Sequence, residues 1–233
     1  MSKDLFNRII TAIILLALLF IINFSHDIIF ILSILILGGV VCVEANNMFS
    51  KIVGSNYLNH SKYTFLSKKY NYKFFILNST VFIYIFFIFC QYSYEIHRIE
   101  SPIFFLYIIC ICVFTDIGGY VFGKIIGGIK LTKISPNKTI SGSIGSFASS
   151  IIPLILFSTL GFLHLELNIN NLFFCLLISL ISQLGDLFVS YLKRKAKIKD
   201  TGKLLPGHGG ILDRVDGIIF AVPFSYFLLN FMK

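Results

Sequence analysis

Long apolar runs separated by short polar interruptions dominate the chain, and the run lengths are those a bilayer selects. Stretches built largely of Ile, Leu, Phe and Val occupy residues 9–24, 27–46, 74–93, 102–123, 141–163, 171–190 and 211–231. Crossing a hydrocarbon core of about 30 Å takes about 20 helical residues. In lipid a backbone amide finds no water to bond, so each run is predicted to be a helix; none shows the two-residue alternation of a membrane barrel. The pattern predicts an all-α, polytopic membrane helical bundle with about seven transmembrane helices, forming one integral-membrane domain over residues 1–233.

Composition agrees, because 56% hydrophobic and 13% charged residues leave a soluble domain too much apolar surface to hide. The first run follows Lys3 and Arg8 as a signal peptide would. Its exit at Phe24-Ser25-His26-Asp27 offers no small-residue cleavage site, so an uncleaved first helix is expected. The five cysteines, Cys42, Cys90, Cys110, Cys112 and Cys175, all fall inside apolar runs, where they act as small hydrophobes.

A net charge of +9 raises nucleic acid as a partner, and the placement of the cations excludes it. Lys3 and Arg8 precede the first run, five Lys lie between Asn47 and Lys73, four between Lys124 and Lys138, and six Lys or Arg between Lys193 and Lys203. The alternate loops carry only Arg98 and Lys233. By the positive-inside tendency the N-terminus and the basic loops are cytoplasmic, which suits an odd number of spans. With no transit signal in view, a bacterial inner membrane is the expected location, and the bilayer is the first partner.

Carboxylates are costly in such runs, by roughly 2.5–3.5 kcal/mol at mid-membrane, yet Asp116, Asp186, Asp213 and Asp216 all lie in the second half, near the predicted cytoplasmic ends of their spans. Glu44, near the cytoplasmic end of the second span, either marks the interface or reaches a site. On a helix Asp186, Ser190 and Lys193 share a face, as do Asp213 and Asp216. Between these groups run Lys193-Arg194, Lys199-Asp200-Thr201-Gly202 and Leu205-Pro206-Gly207-His208-Gly209-Gly210. Basic side chains beside free backbone amides can hold a polyphosphate, and the acids suggest Mg²⁺, which joins one or two carboxylates to substrate phosphates. From spacing alone an alternative stands beside this: a basic loop resting on anionic lipid, with the acids as its ion-pair partners.

The 27 residues from Ser190-Tyr191-Leu192-Lys193-Arg194 through Lys199-Asp200-Thr201-Gly202 and Leu205-Pro206-Gly207-His208-Gly209-Gly210 to Asp213-Arg214-Val215-Asp216 resemble the signature of the phosphatidate cytidylyltransferase family, with every fixed position filled. A second stretch, Asp116-Ile117-Gly118-Gly119-Tyr120 to Gly123-Lys124 and then Ser135-Pro136-Asn137-Lys138-Thr139 with Gly142, is similar to the same family. The chain departs from the family's usual pattern at Val189, where Glu is common, and at Ile140-Ser141, where Trp-Glu or a similar pair is usual. The resemblance implies a transferase that joins CTP to phosphatidic acid, yielding CDP-diacylglycerol and pyrophosphate, with its site facing the cytoplasm. It makes residues 102–233 the catalytic half and residues 1–101 a scaffold of helices and a cytoplasmic loop.

The same resemblance implies Asp186, Ser190, Lys193, Asp213 and Asp216 as catalytic residues, the three acids being ligands to Mg²⁺. Lys138, Thr139, Arg194, Lys199, His208, Gly209, Gly210 and Arg214 are then phosphate-binding residues. A second cation and a homodimer both stay open. Thr139 also suits an ordinary helix start, and His208 the shaping of its turn. Gly118 to Lys124 is not a nucleotide-binding P-loop, since Ile125 stands where Ser or Thr would meet Mg²⁺ and no strand precedes it; Gly119 and Gly123 also fit a helix-contact pair. Asp216-Gly217 lacks the later acids of enzymes that consume CDP-lipids. A cation transporter, a non-catalytic scaffold and a CTP-dependent prenol kinase are the competing classes.

Overall fold

The structure, a computed structural model, describes residues 3–59, 66–132, 135, 137–163, 165–205 and 209–232. Its helices in order are α1 (Lys3–Asn23), α2 (Asp27–Asn59), α3 (Leu66–Glu95) continuing as a π-helical turn (Ile96–Glu100), α4 (Pro102–Ile125), α5 (Ile140–Ser149), α6 (Ile152–Thr159), α7 (Ile169–Lys195), α8 (Leu212–Val215) and α9 (Ile218–Met232). Among the described residues β-pairing is confined to the isolated bridges Lys130 with Thr139 and Leu205 with Gly209. Among the described residues six helical stretches are long and apolar enough to cross a membrane: Asp27–Val53, Phe75–Glu100, Pro102–Ile125, Ile140–Thr159, Ile169–Lys195 and Leu212–Met232. The first expected span coincides with α1, whose apolar part Ile10–Asn23 is shorter. Large apolar side chains such as Ile21, Ile36, Leu77 and Phe87 stand fully outward, which suits a lipid surround. The protein is a multi-pass, all-α membrane bundle.

Two expected spans are interrupted, and for the first the sequence supplies the reason. The 141–163 run divides into α5 and α6 at Ser150 and Ile151, because Pro153 near the start of α6 has no N–H for the Ser149 carbonyl. The 211–231 run divides into α8 and α9 at Asp216 and Gly217. Asp213 and Asp216 therefore do not share one uninterrupted helix face: Asp213 lies in α8 and Asp216 in the turn that follows.

The chain forms two compact units, Met1–Cys90 with Leu192–Val215 and Gln91–Tyr191 with Asp216–Lys233. In the first, Val41, Met48, Phe82 and Phe86 are buried, and Gly38 on α2 admits the Phe86 ring, which a Cβ there would meet at 2.1 Å. In the second, Tyr107, Ile108, Ile111, Leu154 and Ile178 are buried, with the Tyr107 ring stacked on Phe174 at 6.3 Å between centroids. Its tightest packing joins α4 to α5. A Cβ on Gly118 would stand 2.3 Å from Ser149 Oγ and 2.6 Å from the Gly145 carbonyl, one on Gly119 2.6 Å from Ser146 Oγ, and one on Gly145 2.4 Å from the Phe122 side chain. Small residues let the backbones approach as they do between membrane helices generally.

Gly118→Ala is therefore expected to destabilise the protein by about 1–3 kcal/mol, the usual cost of overpacking, because a carbonyl cannot move aside as a side chain can. Gly39→Ala on α2, where nothing lies within 4 Å of the added carbon, serves as the neutral control. Thermal melting in detergent separates the two; equal melting temperatures would refute the close packing.

Candidate active site

Two groups of polar residues are built, one in each unit. The first begins where α7 ends. Ile198 N donates to the Lys193 carbonyl and Lys197 N to the Arg194 carbonyl, each at 3.0 Å, with Lys197 at a φ of +56°. This is a Schellman termination made by a lysine where glycine is usual. It turns the chain out of the helix into the loop residues 198–205 and 209–211, while Arg194 Nη1 donates to the Ile198 carbonyl at 3.4 Å.

Asp213 holds that loop. Its Oδ1 accepts Lys193 Nζ at 2.9 Å, and its Oδ2 accepts Thr201 N at 2.8 Å, Gly210 N at 2.9 Å and Thr201 Oγ1 at 3.1 Å. Lys193 and Asp213 have side chains only 11% and 5% exposed, so little water competes for the pair. With four donors on two oxygens, the Asp213 carboxylate has little acceptor capacity left. Gly209 is required twice over: its φ is +84°, and a Cβ would stand 2.8 Å from Asp213 Oδ2. Glu44, which the sequence leaves undecided, reaches the same loop, accepting Thr201 Oγ1 at 3.0 Å, Ile211 N at 3.1 Å and Leu212 N at 2.9 Å.

These contacts narrow one expectation. The glycine-rich segment is predicted to offer free amides to a polyphosphate, but the amides of Thr201, Gly210, Ile211 and Leu212 point inward onto Asp213 and Glu44. What the loop presents outward is side chains: Arg194, Lys199, Lys203 and Arg214 are exposed. Pro206, Gly207 and His208 lie outside the described residues.

The second group lines a cavity of about 330 Å³ that includes Asp116, Asn137, Lys138, Gln183, Asp186 and Ser190. Asp186 is its centre: Lys138 Nζ forms an ion pair with Oδ2, and Ser190 Oγ donates to Oδ1 at 3.3 Å, the contact expected of residues four apart on one helix. Ser143 Oγ donates to Gln183 Oε1 at 2.6 Å. Thr139 is engaged as the cap of α5, accepting Gly142 N at 3.1 Å, so the ordinary helix-start reading describes its hydroxyl. Ser141 donates to the Gly127 carbonyl, and Val189 is fully buried; the two departures from the family pattern thus serve loop closure and packing.

α7 and the start of α9 also meet closely in this unit. A Cβ on Gly185 would stand 3.0 Å from the Asp216 carbonyl oxygen, and one on Gly217 2.5 Å from Ser182 Oγ. The Asp216 segment is thereby held against the turn of α7 that carries Asp186. Asp216 is buried, and its Oδ1 accepts Gly217 N at 3.0 Å.

Among the described residues no three His, Cys, Asp or Glu side chains are gathered as a ready-made metal cage. Asp116 and Asp186 on one cavity with the Ser190 hydroxyl nevertheless form the donor set a small hard cation takes when phosphate oxygens and water complete its shell. Gln183 and Ser143 escape sequence reasoning, since neutral polar residues in apolar spans carry no charge to mark them, and Asn137 is met there only as part of the second family-like stretch.

Residues 52–232 match the Cytidylyltransferase family. The chain is 47% identical to a phosphatidate cytidylyltransferase of Staphylococcus aureus (strain COL) over 135 residues, 57% of this chain and 51% of that protein. It is 41% identical to the phosphatidate cytidylyltransferase of Bacillus subtilis (strain 168) over 145 residues, 60% and 52% of the two chains, and 39% identical to that of Helicobacter pylori (strain ATCC 700392 / 26695) over 133 residues, 55% and 47%. The chain thus spans about half the length of the curated relatives it matches. Because the family match runs over most of the chain, from α2 through the cavity and the Asp213 loop to α9, this protein belongs to the cytidylyltransferase family.

Proposed function

We propose that the protein is a phosphatidate cytidylyltransferase, transferring the cytidylyl group of CTP to phosphatidic acid in phospholipid biosynthesis. The observation that carries this reading is the Ser190–Asp216 segment, filled at every signature position, in which the Thr201, Gly210, Ile211 and Leu212 amides close on Asp213 and Glu44, Lys193 pairs with Asp213, and Arg194, Lys199, Lys203 and Arg214 are exposed. The relatives named above bear the same activity in their names. A phosphate oxygen of phosphatidic acid attacks the α-phosphorus of CTP, a new P–O bond forms, the bond to the α–β bridging oxygen breaks, and pyrophosphate leaves. The nucleophile is already an anion, so little proton removal is needed and rate comes from alignment and charge neutralisation.

In this reading Lys199, Arg194 and Arg214 receive phosphates from the loop, and Lys138 does so from the cavity wall. Lys193 acts through Asp213 to set the loop. Asp186 and Asp216 would hold Mg²⁺, with Asp116 on the same cavity as Asp186; when bound, the ion supplies a Lewis acid and a template. Asp213, its oxygens engaged by the loop, is assigned the bracing role. The basic loops and the site face the cytoplasm of a bacterial inner membrane, where CTP is available.

Purified protein in detergent with phosphatidic acid, Mg²⁺ and CTP labelled at either the α- or the γ-phosphorus tests the assignment. Label from the α position is expected in the lipid fraction, and chelation of Mg²⁺ should abolish it. Transfer of γ-label to an added prenol would identify a lipid kinase, and no transfer by well-folded protein would leave the enzyme reading without support.

A further inference from the structure

We infer that Glu44 of α2 is a positioning residue for the nucleotide-phosphate loop, acting as an internal anion that fixes which groups the loop shows to CTP. The inference rests on the cytidylyltransferase reading and extends its machinery to a helix outside the signature. Glu44 is 7% exposed, a costly setting for a carboxylate unless its oxygens are fully engaged. They are engaged by one hydroxyl and two backbone amides, from Thr201, Ile211 and Leu212, at both ends of the loop. A carboxylate only accepts hydrogen bonds, so all three donors must turn toward it.

The glycines of the signature make the same point. A Cβ on Gly202 would stand 2.5 Å from Glu44 Oε1, and one on Gly210 2.4 Å from Glu44 Oε2. Neither glycine has a positive φ, so conformation does not require them. Gly202 leaves room for the Glu44 carboxylate, and Gly210 for that carboxylate together with the Thr201 hydroxyl, which a Cβ there would meet at 2.3 Å. With that carboxylate removed, the Ile211 and Leu212 amides lose their acceptor and the loop is free to re-aim Lys199, Lys203 and Arg214. The defect should therefore appear in CTP binding rather than in the lipid step.

The test uses the full chain in detergent. Glu44→Ala is expected to raise the KM for CTP about tenfold or more, the scale of hydrogen bonds to a charged group, with kcat and the KM for phosphatidic acid changed far less. Glu44→Gln, which keeps the shape and one acceptor oxygen, should fall between that variant and the wild type. Gly202→Ala should resemble Glu44→Ala when made alone, and should add little to it in the double variant, because the atom it strikes is then gone. Amide exchange at Ile211 and Leu212, faster in Glu44→Ala by a larger factor than at the other slowly exchanging amides, reports the brace without reference to turnover.

A KM for CTP within about twofold of wild type in Glu44→Ala, or additive effects of Gly202→Ala and Glu44→Ala, would overturn the inference. Should Glu44→Ala fail to fold, Glu44→Gln and Gly202→Ala carry the same KM comparison. A wild type that makes no CDP-lipid defeats the parent reading; unchanged exchange at the two amides defeats the brace independently.

Discussion

Replacing Asp213 by alanine is expected to cost about a hundred- to a thousandfold in kcat/KM and to lower the melting temperature at the same time. Its partner Lys193 is held at 2.9 Å, with side chains 11% and 5% exposed, and removing one member of a buried pair typically costs about 3–5 kcal/mol because the other charge loses its compensation. Two further losses follow locally. The Thr201 and Gly210 amides, at 2.8 and 2.9 Å from Oδ2, give up their acceptor, and the turn at Gly209 loses the oxygen it wraps. Asparagine should rescue little, since its one carbonyl oxygen cannot face Lys193 on one side and two amides on the other, and its NH₂ opposes donors wherever it points. Steady-state kinetics and thermal melting on one preparation check both parts. A variant that melts early but turns over normally would show that the loop conformation is irrelevant to catalysis.

How much of this was legible from the sequence differs by physical cause. The spans were legible because lipid selects on length and hydropathy, quantities a linear chain carries openly. The breaks at Ser150 and Asp216 were not: Pro153 acts on the backbone while the run around it stays apolar, and the close approach of Gly217 to Ser182 exists only in the fold. The contact of Ser190 with Asp186 at 3.3 Å follows from four-residue helical spacing and was read directly. Lys138 against Asp186 and Glu44 against Leu212 bridge separations of 48 and 168 residues, which no local pattern encodes. That the Thr201, Gly210, Ile211 and Leu212 amides turn onto Asp213 and Glu44 is not legible either, because composition identifies donors without telling where their acceptors lie. Glu44 illustrates the limit well: a lone acid at a helix end has several ordinary explanations, and only its three donors single one out.

The second large effect is expected at Asp186, and its character should be opposite. Asp186→Asn should remove about a thousandfold or more of kcat, the scale on which single preorganised electrostatic groups act, while leaving melting within a few degrees of wild type. The side chain is 23% exposed and pairs with a Lys138 that is 30% exposed, so water takes up much of the lost ion pair, whose worth is about 1 kcal/mol or less. The position itself is rigid: α7 carries it, Gly185 seats that turn against the Asp216 carbonyl, and Ser190 Oγ bonds the carboxylate. Asparagine keeps the size and one acceptor but not the charge, so a cation at the cavity would lose a ligand it binds chiefly by charge. The Mg²⁺ concentration for half-maximal activity should rise accordingly. Lys138→Ala should instead raise the KM for CTP with a smaller change in kcat, since a lysine at the wall neutralises phosphate without setting the reacting geometry. If Asp186→Asn keeps kcat within about tenfold and its Mg²⁺ dependence unchanged, the cavity around Asp186 is not where the cytidylyl group is transferred, and the exposed cations of the Asp213 loop must do that work without it.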